Sequence, residues 1–168
     1  MKSILILITV AFLTLAPLTV FTQSNVAHIN VQQLISEMPE VVAAQNELAK
    51  LEKDYTTQID NAFKEFQTKA QSYSADAANQ TDVTNQARQK ELESMQTNLQ
   101  EFRDSAAQEL QKKQMDLMTP LLEKARNAIT KVGKEQGFNY VIDSSPNGGL
   151  ILAEGKDLIE DVKRELGF

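Results

Sequence analysis

Between residues 40 and 136 the chain carries one glycine, Gly133, and one proline, Pro120. These are the two residues that cost most inside a helix, so a stretch this free of them points to long helices. Apolar or small side chains return at Leu48, Leu51, Tyr55, Ile59, Ala62, Phe66, Ala70, Tyr73 and Ala77, in steps of three and four that repeat every eleven residues. That repeat averages about 3.67 residues per turn, close to a straight helix with at most a slight right-handed supercoil. One apolar stripe of this length is not satisfied by water and needs a partner helix.

The partner follows in the chain. Leu92, Met95, Leu99, Phe102, Ala106 and Leu110 form a second seam, which weakens over Gln108 to Gln114. A heptad then resumes at Met115, Met118, Leu122, Ala125, Ile129 and Val132. Between the seams lies Asn79-Gln80-Thr81-Asp82, polar and turn-forming. The two seams predict an antiparallel helical hairpin with its tip near residues 76–84. An outgoing helix of about 36 residues spans ~54 Å, and a returning one of about 53 residues spans ~80 Å. Residue 41 then faces roughly residue 118, and Pro120 falls where the paired arm ends. A proline there removes one hydrogen bond of the helix, so it reads as a bend or hinge between arm and body. The alternative reading is a tolerated irregularity.

The two ends of the chain differ from the middle. Val26-Ala27-His28-Ile29-Asn30-Val31 reads as a strand with apolar residues on both faces, followed by a helical turn or two that Pro39 stops. After the helix stop Gly137, Phe138 to Asp143 reads as a strand, Ser144 to Gly149 as a turn and Leu150 to Ala153 as a second strand, together a hairpin. Asp157 with Glu160 resembles a capping box opening a last helix with Leu158, Ile159, Val162 and Leu166 as its stripe. The fold class is therefore mostly α with a small β body. Body residues 23–40 and 120–168 flank an arm over 41–119.

Few short strands do not make a stable sheet alone in water. Ala27, Ile29, Val31, Val141, Leu150, Leu152, Ile159 and Val162 would leave much apolar surface open on a single chain, and subunit association would cover it.

Residues 1–22 have the layout of a cleaved export signal. Lys2 gives a positive start, Ile4 to Leu15 is apolar, and small or polar residues follow, with cleavage expected near Thr22/Gln23. The rival reading is an uncleaved anchor, for which the apolar run is short against the ~20 residues a bilayer requires. The chain has no cysteine, hence neither a disulfide framework nor a cysteine-linked lipid. Its net charge of −6 argues against nucleic acid, which needs a basic footprint.

Catalytic chemistry finds little to use. His28 is the sole histidine and sits mid-strand, where a packed or interface role accounts for it. With no cysteine or second histidine a zinc site lacks ligands. No nucleophile elbow is present, and Gly148-Gly149 has neither the glycine pattern nor the Lys-Ser/Thr pair of a phosphate loop. The sequence thus assigns no catalytic, cofactor or metal residues and no cofactor. A binder of unfolded chains would instead use a wide mixed surface, and Phe63, Val83 and Leu117 lie off the best seams, where they would face such a client. The alternative for these three is a broader seam.

Three motifs taken with the hairpin resemble one family. Val26-Ala27-His28-Ile29-Asn30 is similar to the strand that opens the mature Skp-type domain. Tyr140-Val141-Ile142-Asp143 is similar to its later strand ending in aspartate. Lys156-Asp157-Leu158-Ile159-Glu160-Asp161-Val162 is similar to its closing segment. The chain resembles the Skp, or OmpH-like, family of periplasmic chaperones. That resemblance implies a jellyfish-like homotrimer in which three arms enclose a cavity that holds unfolded outer-membrane or envelope proteins without ATP. The alternative function is a structural coiled coil of the envelope. One family property is not carried over. Well-studied relatives are basic, with positive arm tips proposed to meet lipopolysaccharide or membrane. Here the tip from Gln71 to Glu91 sets Asp76, Asp82 and Glu91 against Arg88 and Lys90.

Overall fold

The structure, a computed structural model, describes residues 25–168. The export signal read over residues 1–22 and its cleavage point lie outside the described residues. Strand β1 (Val26–Ile29) leads into a short helix α1 (Val31–Glu37) and then into the long helix α2 (Pro39–Asp76). A single 3-10 turn, Ala77–Asn79, reverses the chain into α3 (Asp82–Glu135). Strands β2 (Tyr140–Asp143) and β3 (Lys156–Asp157) and helix α4 (Ile159–Leu166) complete the fold. Among the described residues no helix is long and apolar enough to cross a membrane.

The hairpin forms as its seams require. Every outgoing seam position from Leu48 to Ala77 is half-buried, and on the return Leu99 and Ala106 are buried. Tyr55 meets Phe102 edge to face with ring centroids 6.0 Å apart. Glu47 pairs with Lys113 at 2.7 Å and Glu40 with Lys124 at 2.6 Å, so Pro120 stands opposite the first turn of α2. Helix α3 continues unbroken through that proline. The resumed heptad is covered unevenly: Ala125 and Val132 are buried and Met118 and Ile129 half-buried, but Met115 is 57% and Leu122 44% exposed, while Ala128, off the heptad, joins the core.

Helix lengths explain the sheet. α2 has 38 residues and α3 has 54. The surplus of 16 residues carries the returning chain ~24 Å past the start of α2. That is about the combined length of β1 and α1, so the chain re-enters beside the beginning of β1 and runs the same way. The sheet has the order β2-β1-β3, with both neighbours parallel to β1: Val26 aligns with Tyr140, Ala27 with both Val141 and Lys156. Parallel pairing needs a long crossover, and here the whole arm supplies it.

The predicted hairpin of residues 138–153 is corrected accordingly. Leu150 to Ala153 forms no strand, since β1 accepts a partner on each edge and residues 144–155 must run back before pairing. The second partner is Lys156–Asp157, of which the sequence assigned Asp157 to a helix cap. The capping box also changes: the Asp157 carboxylate accepts from the Ile159 amide at 3.0 Å, while Glu160 pairs forward with Lys163 at 3.1 Å.

One face of this sheet packs on helices. Ala27, Ile29, Leu34, Met38, Val41, Ala125, Ala128, Val132, Leu158 and Val162 form the core. Gly133 of α3 lies against β2, where a Cβ would come within 2.8 Å of Val141 Cγ2. Close strand–helix approach accounts for this mid-helix glycine. At the C-terminus of α3, Gly137 at φ 77° lets the Phe138 amide reach Gly133 O at 2.9 Å and its own amide reach Lys134 O at 3.1 Å. That left-handed stop turns the chain into β2.

Candidate functional site

Among the described residues no group of three or more His, Cys, Asp or Glu side chains is placed to hold a metal ion. His28 lies on the outer face of the sheet. Its Nε2 is 3.1 Å from Gly155 O, which only accepts, so Nε2 carries the proton in the neutral ring and Nδ1 accepts from the Ser144 hydroxyl at 3.2 Å. A serine beside a histidine begins a nucleophilic constellation. Here, however, the second ring nitrogen is held by a backbone carbonyl rather than an orienting carboxylate. The contacts instead pin both ends of the 144–155 connection to β1.

A polar junction fixes the end of β1. The Asn30 carboxamide accepts from the Gln33 amide at 2.9 Å, Ser145 Oγ from the Gln32 amide at 3.0 Å and Asp143 Oδ1 from the Val31 amide at 3.3 Å. The first three amides of α1 are thereby satisfied by three side chains, one from the adjoining Asn30 and two from a single distant segment. Burial works to raise the Asp143 pKa, but hydrogen bonds from the Ser145 hydroxyl and amide and from Val31 outweigh it, and the carboxyl sits below its ordinary range. The closing aspartate of β2 is thus a structural clamp.

Two surfaces remain open for partners. The first is the outer sheet face. Strand alternation aims Ala27 and Ile29 inward, both 1% exposed, and leaves Val26 at 42%, Tyr140 at 61% and Ile142 at 40%. Beside them Ile151 and Leu152 on the connection are fully and largely exposed. Of the residues expected at a subunit contact, Ala27, Ile29 and Val162 are covered within one chain, the first two because the sheet carries its helices on that face. Val31, Val141 and Ile159 are half-covered against the same core, Leu150 is half-buried and Leu152 is open. Val26, Tyr140 and Ile142 are not among the residues expected there, although period-two alternation within β1 and within β2 sets them on the face opposite Ala27, Ile29 and Val141.

The second surface is the arm. Two helices cover one another along one line only, so most of each stays wet. Phe63 is 39% and Val83 76% exposed, whereas Leu117 is half-buried near the arm's base. Phe63 stacks on Phe66 at 6.5 Å between centroids. Interhelical polar contacts run along the arm from Glu40–Lys124 through Tyr55–Glu109 to Lys69–Glu91. At the tip Arg88 pairs with Asp76 at 3.1 Å and lies 4.7 Å over the Tyr73 ring. Hydrogen bonds from Lys69 and then Tyr73 hold the Glu91 carboxyl below its usual range, and those from Arg88 and Asn79 do the same to Asp76. Of the two tip bases, Arg88 is thus spent on internal partners, whereas Lys90 makes no ion pair among the described residues.

A family model described as "Outer membrane protein (OmpH-like)" matches residues 25–166, nearly all of the described chain. The chain belongs to the OmpH-like family. Among curated relatives, "Chaperone protein Skp" of Yersinia enterocolitica is 24% identical over 148 residues, covering 85% of this chain and 86% of that protein. The OmpH-like match spans both body segments and the arm together, so the three motifs and the hairpin belong to one unit.

Proposed function

We propose that this protein is a periplasmic, ATP-independent holdase, not an enzyme, that shelters unfolded outer-membrane or envelope proteins between the arms of a homotrimer. The observation that carries the reading is the division between a closed protomer core and two large open surfaces. The outer sheet face is apolar and compact, suited to a permanent contact between copies. The arm is long, mixed and without an enclosed pocket, suited to many weak contacts with a chain that has no fixed shape. Summing weak contacts over a tethered surface gives avidity without a unique site.

The trimer follows by the same logic. Three copies meeting through Val26, Tyr140, Ile142, Ile151 and Leu152 would remove the apolar patch and cover open sheet edges. All arms would then leave one side of the body and bound a common cavity. Phe63, Val83 and, nearer the base, Leu117 are the arm positions assigned to clients. No lipopolysaccharide or membrane site is assigned to the tip, where Arg88 is engaged by Asp76 and Tyr73. Export by the residue 1–22 signal places the protein with such clients.

The test is light scattering of a denatured outer-membrane barrel diluted into buffer with and without the protein. Full-length arms should suppress aggregation at near-stoichiometric trimer. Deleting Ala62 to Asn98, whose ends face each other across the hairpin, should leave a trimer that protects far less. Undiminished protection by a still-trimeric short-arm variant would overturn the cavity mechanism and favour a structural coiled coil of the envelope.

A further inference from the structure

Midway along the arm the hairpin opens a groove of about 440 Å³. Its apolar side is Phe63, Phe66 and Leu99, and its polar side is Gln96, Gln100 and Arg103. Three features bear on what it can hold. Phe63 keeps 39% of its surface in water while stacked on Phe66, so an aromatic ring stands ready for a further partner. Arg103 makes no ion pair among the described residues, and unlike the equally unpaired Lys90 and Lys112 of the same helix it lines the groove. The Gln96 carboxamide has no partner among the described residues, and Gln100 commits only its amide nitrogen, to Asp104 at 3.0 Å.

We infer that this groove is a docking station for an extended segment of unfolded polypeptide bearing an aromatic side chain and a neighbouring carboxylate. The inference rests on the holdase reading above and specifies what the arm prefers within it. An incoming ring would extend the Phe63–Phe66 stack, since aromatic groups add attraction beyond area burial. The planar guanidinium of Arg103 complements a carboxylate with two parallel hydrogen bonds and also stacks on rings. The carboxamides of Gln96 and Gln100 suit the unpaired amides and carbonyls of an extended backbone. Charge complementarity selects the occupant: a free cation beside an apolar floor favours an aromatic-acidic segment over an aromatic-basic one. A like-charged lysine would be repelled by Arg103 at the point where the ring is seated.

The chain contains no tryptophan, so a tryptophan in a probe peptide reports binding directly. The probes are two glycine- and serine-flanked peptides, one with Trp followed two residues later by Asp, the other with Lys in place of that Asp. The full mature protein should bind the Trp–Asp peptide about five-fold more tightly at low salt. Arg103→Gln should erase that preference, weakening Trp–Asp binding and relieving the repulsion on Trp–Lys. Phe63→Ala should weaken both peptides several-fold, with helix content followed by circular dichroism. Equal affinity for the two peptides in the parent, or a preference surviving in Arg103→Gln, would overturn the inference, as would no binding of either peptide. Protection of an unfolded barrel by the parent is measured alongside. Intact protection with no peptide preference refutes the groove alone, whereas lost protection refutes the holdase reading itself.

Discussion

At the residue scale the fold depends on a few side chains that do jobs their own segments cannot do. Asp143 and Ser145 close the amino end of a helix more than a hundred residues earlier in the chain, and α1 has only seven residues to hold itself together. Asp143→Ala should therefore cost roughly 1 kcal/mol, the usual value of a lost cap, with Asp143→Asn retaining part of it; urea unfolding measures both. The carboxyls of Glu37, Asp76, Glu91, Asp143 and Asp161 are all held below their ordinary range. The hydrogen bond from Lys163 is the largest cause at Glu37, and that from Gln136 at Asp161. A depressed carboxyl contributes stability that is complete above its unfolded pKa of about 4 and is lost as pH falls through the lower folded value. Thermal melts should thus be flat between pH 7 and about pH 5 and drop below pH 4. A melt that rose on acidification would contradict these contacts.

At the scale of elements, the arm and the body are built by different means. Leu34, wholly buried under the sheet, should cost about 2–5 kcal/mol on truncation to alanine. Phe66, half-buried on a two-helix arm, should cost less, because much of its surface is wet in the folded state too. Comparing the two variants by chemical denaturation checks this. Pro120 is assigned as the place where the arm swings: it deletes one hydrogen bond just where α3 loses α2 as a partner. Spin-label distances between arm tips should narrow in Pro120→Ala; an unchanged breadth would reduce the proline to a local irregularity. The hairpin was legible because Leu48 to Ala77 and Leu92 to Leu110 carry a periodic signal over many turns, which local accidents do not mask. The sheet was less so. Leu150 to Ala153 has strand composition but no free edge to join, and Lys156-Asp157 pairs through its backbone despite charged side chains. Pairing direction depends on where α3 ends relative to β1, a difference of helix lengths that no single segment displays. The open groove beside Arg103 was likewise invisible, since it is set by which side chains the opposite helix leaves uncovered.

At the scale of the whole molecule, the decisive contrast is between apolar residues the chain covers by itself and those it leaves for copies of itself. Ile29 and Leu152 are both apolar residues of the body, and sequence alone does not separate them. In the fold Ile29 is 1% exposed among Leu34, Val41 and Leu158, while Leu152 is 68% exposed on the outer side. A charge at each should therefore fail differently. Ile29→Asp buries an unpaired carboxylate in the protomer core, a loss of several kcal/mol that should unfold the body at any concentration. Leu152→Asp or Tyr140→Asp alters only the surface assigned to the trimer contact, where three like charges would gather about one axis. Those variants should keep the helical signal of the parent yet sediment as monomers at micromolar concentration, and the parent's concentration-dependent melting should disappear. Arms on separate monomers enclose nothing, so the same variants should lose most aggregation suppression while retaining the peptide preference of the Phe63–Arg103 groove, which lies within one hairpin. If instead Leu152→Asp and Tyr140→Asp both remained trimeric, the outer sheet face would not be the subunit contact.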